Sequence, residues 1–207
     1  MQRKVFDVIA SAGGALMVIV LVVAGGLLMW GYSFANSNVH NQLAEQQIVF
    51  PAKAAFAHPV AGSEITPSMV GTVSKYAGES LVTGQQAEVY ANDFIAVHLQ
   101  EIGGGLTYAQ LSSKAMALPK GSVAYTAAEA KVQSVFQGTT LRGLLLEAYA
   151  FGTFATIALV AGIAAFALAA LMALLVAFGF WHARRTDVAK ELVTTGTHVR
   201  RGALATA

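Results

Sequence analysis

Residues 8–32 read VIASAGGALMVIVLVVAGGLLMWGY, and this uncharged stretch decides the fold. It lies in a longer segment, between Asp7 and Glu45, that holds no Asp, Glu, Lys or Arg. The apolar run exceeds the about 20 residues that a helix needs to cross a bilayer. Because hydrocarbon offers the backbone no hydrogen-bond partner, a crossing segment must pair its own amides. Residues 8–32 are therefore predicted to be a transmembrane helix.

A second uncharged run, between Glu147 and Arg184, predicts a second transmembrane helix over residues 149–181. At about 1.5 Å per residue this run is longer than the hydrocarbon core of about 30 Å, so we expect it to tilt or to project outward. Aromatic side chains, which favour the headgroup level, stand near the ends of both runs. They are Trp30, Tyr32, Phe34, Tyr149, Phe151 and Phe154 at one boundary, and Phe178, Phe180 and Trp181 at the other.

A cleaved signal peptide is the alternative interpretation of the first run. Arg3 and Lys4 would form its basic start, and Ser33-Phe34-Ala35 would supply the small residues that cleavage needs. However, the apolar part of a signal peptide has about 7–15 residues, and this run is much longer. We therefore interpret it as a retained anchor.

The charge distribution predicts that both termini are cytoplasmic. Residues 1–7 carry two basic side chains and one acidic one, and residues 182–207 form a tail with five basic and two acidic residues. The loop between the spans, residues 33–148, carries six basic and eight acidic residues, which gives it a net charge of about −2. Basic residues next to membrane spans favour the cytoplasmic side. The chain is thus predicted to be a multi-pass protein of the cytoplasmic membrane with residues 33–148 outside.

The extracytoplasmic segment is predicted to be a mainly helical domain, which makes the fold class an all-α membrane protein. It contains no cysteine, so a packed helical domain is expected rather than a disulfide-stapled one. Capping-box spacings, in which a Thr precedes Gln or Glu by three residues, predict three helix starts. They are Thr83 with Gln86, Thr107 with Gln110, and Thr126 with Glu129.

Proline and glycine signals divide the same segment further. Thr66 before Pro67 predicts a helix that runs to Val82. A helix that begins near Gln85 is predicted to end at the glycines of residues 103–105. Residues 39–63, with two prolines, are expected to be irregular, and residues 47–50 are the one short strand candidate.

The sequence offers no catalytic constellation, so we predict no enzyme activity, no cofactor and no metal site. Without cysteine, thiol catalysis and thiolate metal sites are excluded. Neither span holds an ionisable residue, which argues against a pump or carrier formed by this chain alone. His98 shares a helical stripe with Phe94, and a packed, hydrogen-bonded histidine is favoured there over a ligand.

The strongest functional pattern is a row of small residues in the second span. Small residues let two membrane helices approach closely, so the row predicts a helix-packing interface. Part of it is expected to face the first span and the remainder to face helices of another protein. The row comprises Ala161, Ala165, Ala169, Ala173 and Ala177 with Gly162 beside it, and a shorter version in the first span comprises Ala10 and Gly14.

Three motifs together carry a resemblance to a known family. They are GQQAEVYA at residues 84–91 followed by His98, GGLTYA at residues 104–109, and GTTLR at residues 138–142. This combination resembles small two-span membrane proteins of actinobacteria, including mycobacteria, which often carry the label "aromatic ring-opening dioxygenase". That label implies iron held by His and carboxylate ligands in a facial arrangement, and the spacing here offers none. The resemblance therefore implies architecture rather than catalysis.

Two functions from different classes follow. The first is a non-catalytic accessory or structural subunit of a larger cytoplasmic-membrane complex. Small helical-hairpin subunits of this kind look similar to accessory proteins of the actinobacterial respiratory cytochrome bc–oxidase supercomplex. The partners would be integral membrane proteins and the lipid bilayer, with no nucleic acid. The alternative is a stand-alone envelope protein whose outer helical domain binds a lipid, a small molecule or a secreted partner.

Overall fold

A computed structural model describes residues 3–185, with side chains from Val5 onward, and shows a helical protein. Two long helices, α1 (Arg3–Glu45) and α5 (Val123–Arg185), enclose three short ones in sequence. The short helices are α2 (Gly84–Val89), α3 (Ala96–Gly103) and α4 (Tyr108–Met116), and a π-helical segment (Tyr90–Ile95) joins the first two. The all-α prediction is confirmed for the described part of the chain.

Both long helices are long and apolar enough to cross a membrane. Helix α1 contains the predicted span 8–32 and continues for about three and a half turns beyond it, to Glu45. Helix α5, with 63 residues, contains the predicted span 149–181. Only 11% of the most apolar window of each helix is buried. The core helix of a soluble protein would be mostly buried, so these two helices do not fit that description. The predicted tail beyond Arg185 lies outside the described residues.

The chain divides into two compact units. The hairpin unit consists of Met1–Trp30 and Ala158–Ala207, and the inserted unit consists of Gly31–Ile157. Each long helix thus contributes one part of its length to each unit. The inserted unit has a hydrophobic core of its own, whose most deeply buried members are Phe50, Met69, Val73, Leu81 and Leu145.

Two of the three predicted capping boxes are confirmed. Thr83 accepts a hydrogen bond from the Gln86 amide at the start of α2, and Thr107 does the same for Gln110 at the start of α4. The third, at Thr126, is wrong because α5 already begins at Val123. Ser122 takes that role: its Oγ accepts the amide of Tyr125 at 3.1 Å.

The predicted helix from Pro67 to Val82 is also wrong. Only two short 3₁₀ turns form there, Pro67–Met69 and Val73–Tyr76. Gly78 has φ +78°, a left-handed conformation that an α-helix cannot contain. Pro67 starts the first turn as predicted, but the Thr66 side chain bonds Ser68 Oγ at 2.8 Å instead of capping the turn.

The expected lead-in is irregular only after α1 ends at Glu45. Gln47 there has φ 53°, which stops the helix. The short strand candidate forms only one isolated antiparallel bridge, between Val49 and Ser80. Residues 3–185 contain no strand longer than this bridge. The predicted stop after α3 is confirmed, because Gly104 ends that helix in the left-handed region with φ 58°.

Helix α2 meets α5 where both backbones carry glycine. A methyl group on Gly84 would lie 3.1 Å from the Ala148 carbonyl oxygen and 3.3 Å from Gly152 Cα. These contacts are with backbone atoms, which cannot turn aside, so only glycine fits at this distance. The contact fixes α2 and the π-helical segment after it against α5.

Candidate functional site

The two long helices pack antiparallel in the hairpin unit, along a narrow seam. On each helix the residues at the centre of the contact alternate steps of three and four, an average period of 3.5 that keeps one stripe on the partner helix. On α1, Ala15, Ala24 and Met29 beside that stripe are half-buried as well. The α1 side of the seam consists of Asp7, Ser11, Gly14, Val18, Leu21, Gly25 and Leu28, and the α5 side consists of Gly162, Ala165, Ala169, Met172, Val176, Gly179 and Ala183.

Glycines bring the two helices close together at this seam. A methyl group on Gly14 would lie 2.7 Å from Val176 Cγ2, and one on Gly25 would lie 3.1 Å from Phe166 Cζ. One on Gly162 would lie 3.4 Å from the Gly25 carbonyl oxygen. Between membrane helices the lipid removes the hydrophobic driving force, so close dispersion contacts of this kind hold a pair together.

Polar groups gather at one end of the seam. Ser11 is buried with its Oγ against Gly179, in a contact that a larger residue at position 179 would abolish. One turn away, His182 Nε2 lies 4.0 Å from Asp7 Oδ2. A crevice of about 240 Å³ lies between these side chains and Met172. The approach of His182 to Asp7 and the buried Ser11 hydroxyl fix the register of α1 on α5 at this end.

The structure divides the predicted row of small residues into two groups. A strict four-residue step turns by about 40° on an α-helix, so the four steps of this row wind off any straight seam. Within the seam lie Gly162, Ala165 and Ala169 on α5 and Gly14 on α1. The other members are exposed in this chain: Ala161, Ala173 and Ala177 on α5 and Ala10 on α1. Ala10 also lines the crevice beside the seam.

In the inserted unit, His98 ends a row of aromatic side chains at four-residue spacing. The Tyr90 and Phe94 rings stack with centroids 4.7 Å apart, and the Phe94 and His98 rings lie 4.6 Å apart. His98 Nδ1 also lies 2.8 Å from the Phe94 carbonyl oxygen. The prediction of a packed, hydrogen-bonded histidine is confirmed.

The π-helical segment carries one further polar contact and a tyrosine whose pKa is raised. Arg142 of α5 donates a hydrogen bond of 2.8 Å to Asn92 Oδ1. Burial raises the pKa of the Tyr90 phenol above its usual value of 10.0, and the Glu64 carboxylate raises that pKa further. Tyr90 therefore stays protonated near neutral pH and is unsuited to act as a base.

The described part of the chain holds no group of three or more His, Asp or Glu side chains that could bind a metal ion. Compared with known proteins, the chain matches no protein-family model, no curated protein and no solved structure.

We expect Gly14→Leu to destabilise the hairpin, because its side chain would overlap Val176. Overpacking of this kind costs about 1–3 kcal/mol. Thermal unfolding of the purified full chain in mild detergent measures the loss as a lower midpoint. The neighbouring Gly13 has nothing within 4 Å, so Gly13→Leu is the matched control and should leave the midpoint unchanged or raise it. Equal midpoints for the two variants would contradict the seam.

Proposed function

We propose that this protein is a two-span integral membrane protein that serves as a non-catalytic accessory subunit of a larger cytoplasmic-membrane complex. The observation that carries the proposal is a paired set of apolar helices that cover each other along one narrow seam only. Everything else on their surfaces needs lipid or another apolar partner.

Membrane anchoring is supported by the kind of side chain left uncovered. Exposed large apolar residues follow each other along both helices, from Phe6 to Trp30 on α1 and from Phe154 to Trp181 on α5. At one end of α5 the Arg185 guanidinium lies 4.0 Å from the centre of the Trp181 ring, a pairing of cation and aromatic suited to the headgroup level. The seam with α5 also gives α1 a structural role that a removed signal peptide would not have.

A supporting rather than catalytic role follows from the polar groups. Neither apolar run contains an ionisable residue that could relay protons or bind ions within the bilayer. The polar contacts of the π-helical segment, Arg142 with Asn92 and His98 with Phe94, tie that segment to its neighbours. They hold elements of the inserted unit together rather than form an acid–base pair.

A docking face for another membrane helix remains on α5, beside the seam. Ala170, Ala173 and Ala177 share one helical face at spacings of three and four residues, and all three are exposed. Such a shallow face admits a partner helix closely. The resemblance to two-span actinobacterial proteins leads us to propose the respiratory cytochrome bc–oxidase supercomplex as the assembly that supplies that helix.

We expect both termini to be cytoplasmic and residues 33–148 to lie outside, since Arg3, Lys4, Arg184 and Arg185 flank the spans on one side. The chain has no native cysteine, so single cysteines at Ser68 and Thr194 report cleanly on topology. An impermeant thiol reagent on intact cells should label the first and spare the second. Labelling of Thr194→Cys but not of Ser68→Cys would show that the orientation is the opposite of the predicted one.

Replacing Ala173 by Leu should weaken association with the partner complex without disturbing the hairpin. The larger side chain would hold a docked helix away, and the cost of about 1–3 kcal/mol corresponds to about a fivefold or larger loss of binding. The measurement is recovery of partner chains with the tagged variant from mildly solubilised native membranes, at equal expression.

Ala164→Leu makes the same change on a different exposed face of α5 and is the matched control. It should recover partners as well as the native chain does. If Ala173→Leu also does so, the face is not the interface. If the native chain purifies alone, as a monomer or homodimer, the accessory-subunit proposal fails and the stand-alone envelope protein is favoured.

A further inference from the structure

At the polar end of the seam, α1 and α5 place an acidic and a titratable side chain opposite each other. His182 Nε2 of α5 lies 4.0 Å from Asp7 Oδ2 of α1. The Asp7 side chain is only 22% exposed, and its Oδ2 atom is buried with no hydrogen-bond partner among the side chains that the structure describes. A buried carboxylate oxygen costs free energy unless a positive charge stands close to it. The state of His182 therefore matters to Asp7.

His182 can supply that positive charge, but only when it is protonated. At 4.0 Å the two side chains are too far apart for a hydrogen bond and close enough for an ion pair. A neutral imidazole brings Asp7 no charge, whereas an imidazolium does. The His182 side chain is 57% exposed, so it exchanges protons with water readily. Histidine is the side chain that changes charge between about pH 5 and 8.

The other charged groups at this end of the hairpin keep their charge over the same pH range. On α5, Arg184 and Arg185 follow His182, and the Arg185 guanidinium lies over a tryptophan ring rather than at Asp7. On α1, the basic pair Arg3–Lys4 begins the helix one turn before Asp7. Arginine and lysine stay positive and aspartate stays negative between about pH 5 and 8. Among the described residues of the seam, His182 is thus the group whose charge follows the pH.

The packing beside the pair confines its effect to one end of the seam. Asp7 and His182 stand at a crevice between the two helices, where close packing has stopped. One turn further in, Ser11 is buried against Gly179, and Gly14 continues the close contact. These inner contacts are uncharged, so they do not respond to protonation. A change of charge at His182 therefore acts on the first turns of α1 and leaves the rest of the seam in place.

We propose that protonation of His182 latches this end of the α1–α5 seam through an ion pair with Asp7, so that the hairpin tightens as the pH falls. The imidazolium gains an attraction in the packed hairpin that it lacks when the helices separate, so folding takes up a proton. By linkage, the stability from this pair is present near about pH 5.5 and is lost as the pH rises to about 8. Under the topology proposed above, the latch responds to the pH of the cytoplasm.

The test is a double-mutant cycle on the purified full chain in mild detergent, with His182→Gln, Asp7→Asn and the double variant. The cycle isolates the interaction between the two side chains, and the contributions of the other histidines cancel. At about pH 5.5 the unfolding midpoints should show a coupling of about 1–4 °C, the size expected of a half-exposed pair in a chain of this length. At about pH 8 the coupling should disappear. Equal coupling at both pH values, or none at either, would overturn the proposal.

Two further variants separate the latch from a merely structural role. His182→Lys keeps a positive charge at both pH values, so its coupling to Asp7→Asn should persist at about pH 8. Arg184→Gln is the matched control, because it removes a fixed charge at the same end of α5, and its coupling to Asp7→Asn should not change with pH. A pH-dependent coupling of Arg184→Gln as large as that of His182→Gln would refute the assignment to His182. These midpoints are read on the isolated chain, so the result is independent of any partner complex and of the topology.

Discussion

Close packing of α1 against α5 along a seam of small residues is the constraint on which the rest of the structure depends. Gly14, Gly25, Gly162 and Gly179 remove the side chains that would hold the two helices apart. Because lipid tails are as apolar as the helices, only such close contacts and the polar end at Ser11 favour pairing in a bilayer. Both helices continue into the inserted unit, where their buried residues Val39, Leu43 and Leu145 join its core.

The 3.5-residue period of the seam also determines which small residues of α5 are left uncovered by α1. It covers Ala165 and Ala169 and leaves Ala173 and Ala177 uncovered, because a stripe of alternating three- and four-residue steps diverges from a strict four-residue row. In the inserted unit, residues 34–46 and 141–151 of the two helices line an open groove beside the core instead of a closed seam. One helix pair thus provides both a packed interface and an uncovered face.

The sequence predicted the helical class, the positions of the two long apolar helices, two capping boxes and the packed state of His98, since each depends on local patterns. It predicted a helix after Pro67 where only 3₁₀ turns form, because capping patterns do not reveal that Gly78 adopts a left-handed conformation that an α-helix cannot contain. The seam members Ser11 and Gly179 were within reach, since alternating three- and four-residue spacing is visible in the sequence. The groove and the Arg142–Asn92 bond join residues distant in the chain, and periodicity carries no information about such contacts.

The hairpin itself is tested most directly by a disulfide between Ser11→Cys and Gly179→Cys in the otherwise cysteine-free chain. A Cβ on Gly179 would lie 3.5 Å from Ser11 Cβ, within the range of about 3.5–4.5 Å that a disulfide spans. The double variant in native membranes should form an intramolecular bond rapidly under mild oxidation, seen as a reductant-sensitive shift on a denaturing gel. Gly13 faces away from the seam, so the control pair Gly13→Cys with Gly179→Cys should not form this bond. Equal crosslinking of the two pairs, or none in either, would contradict the antiparallel seam.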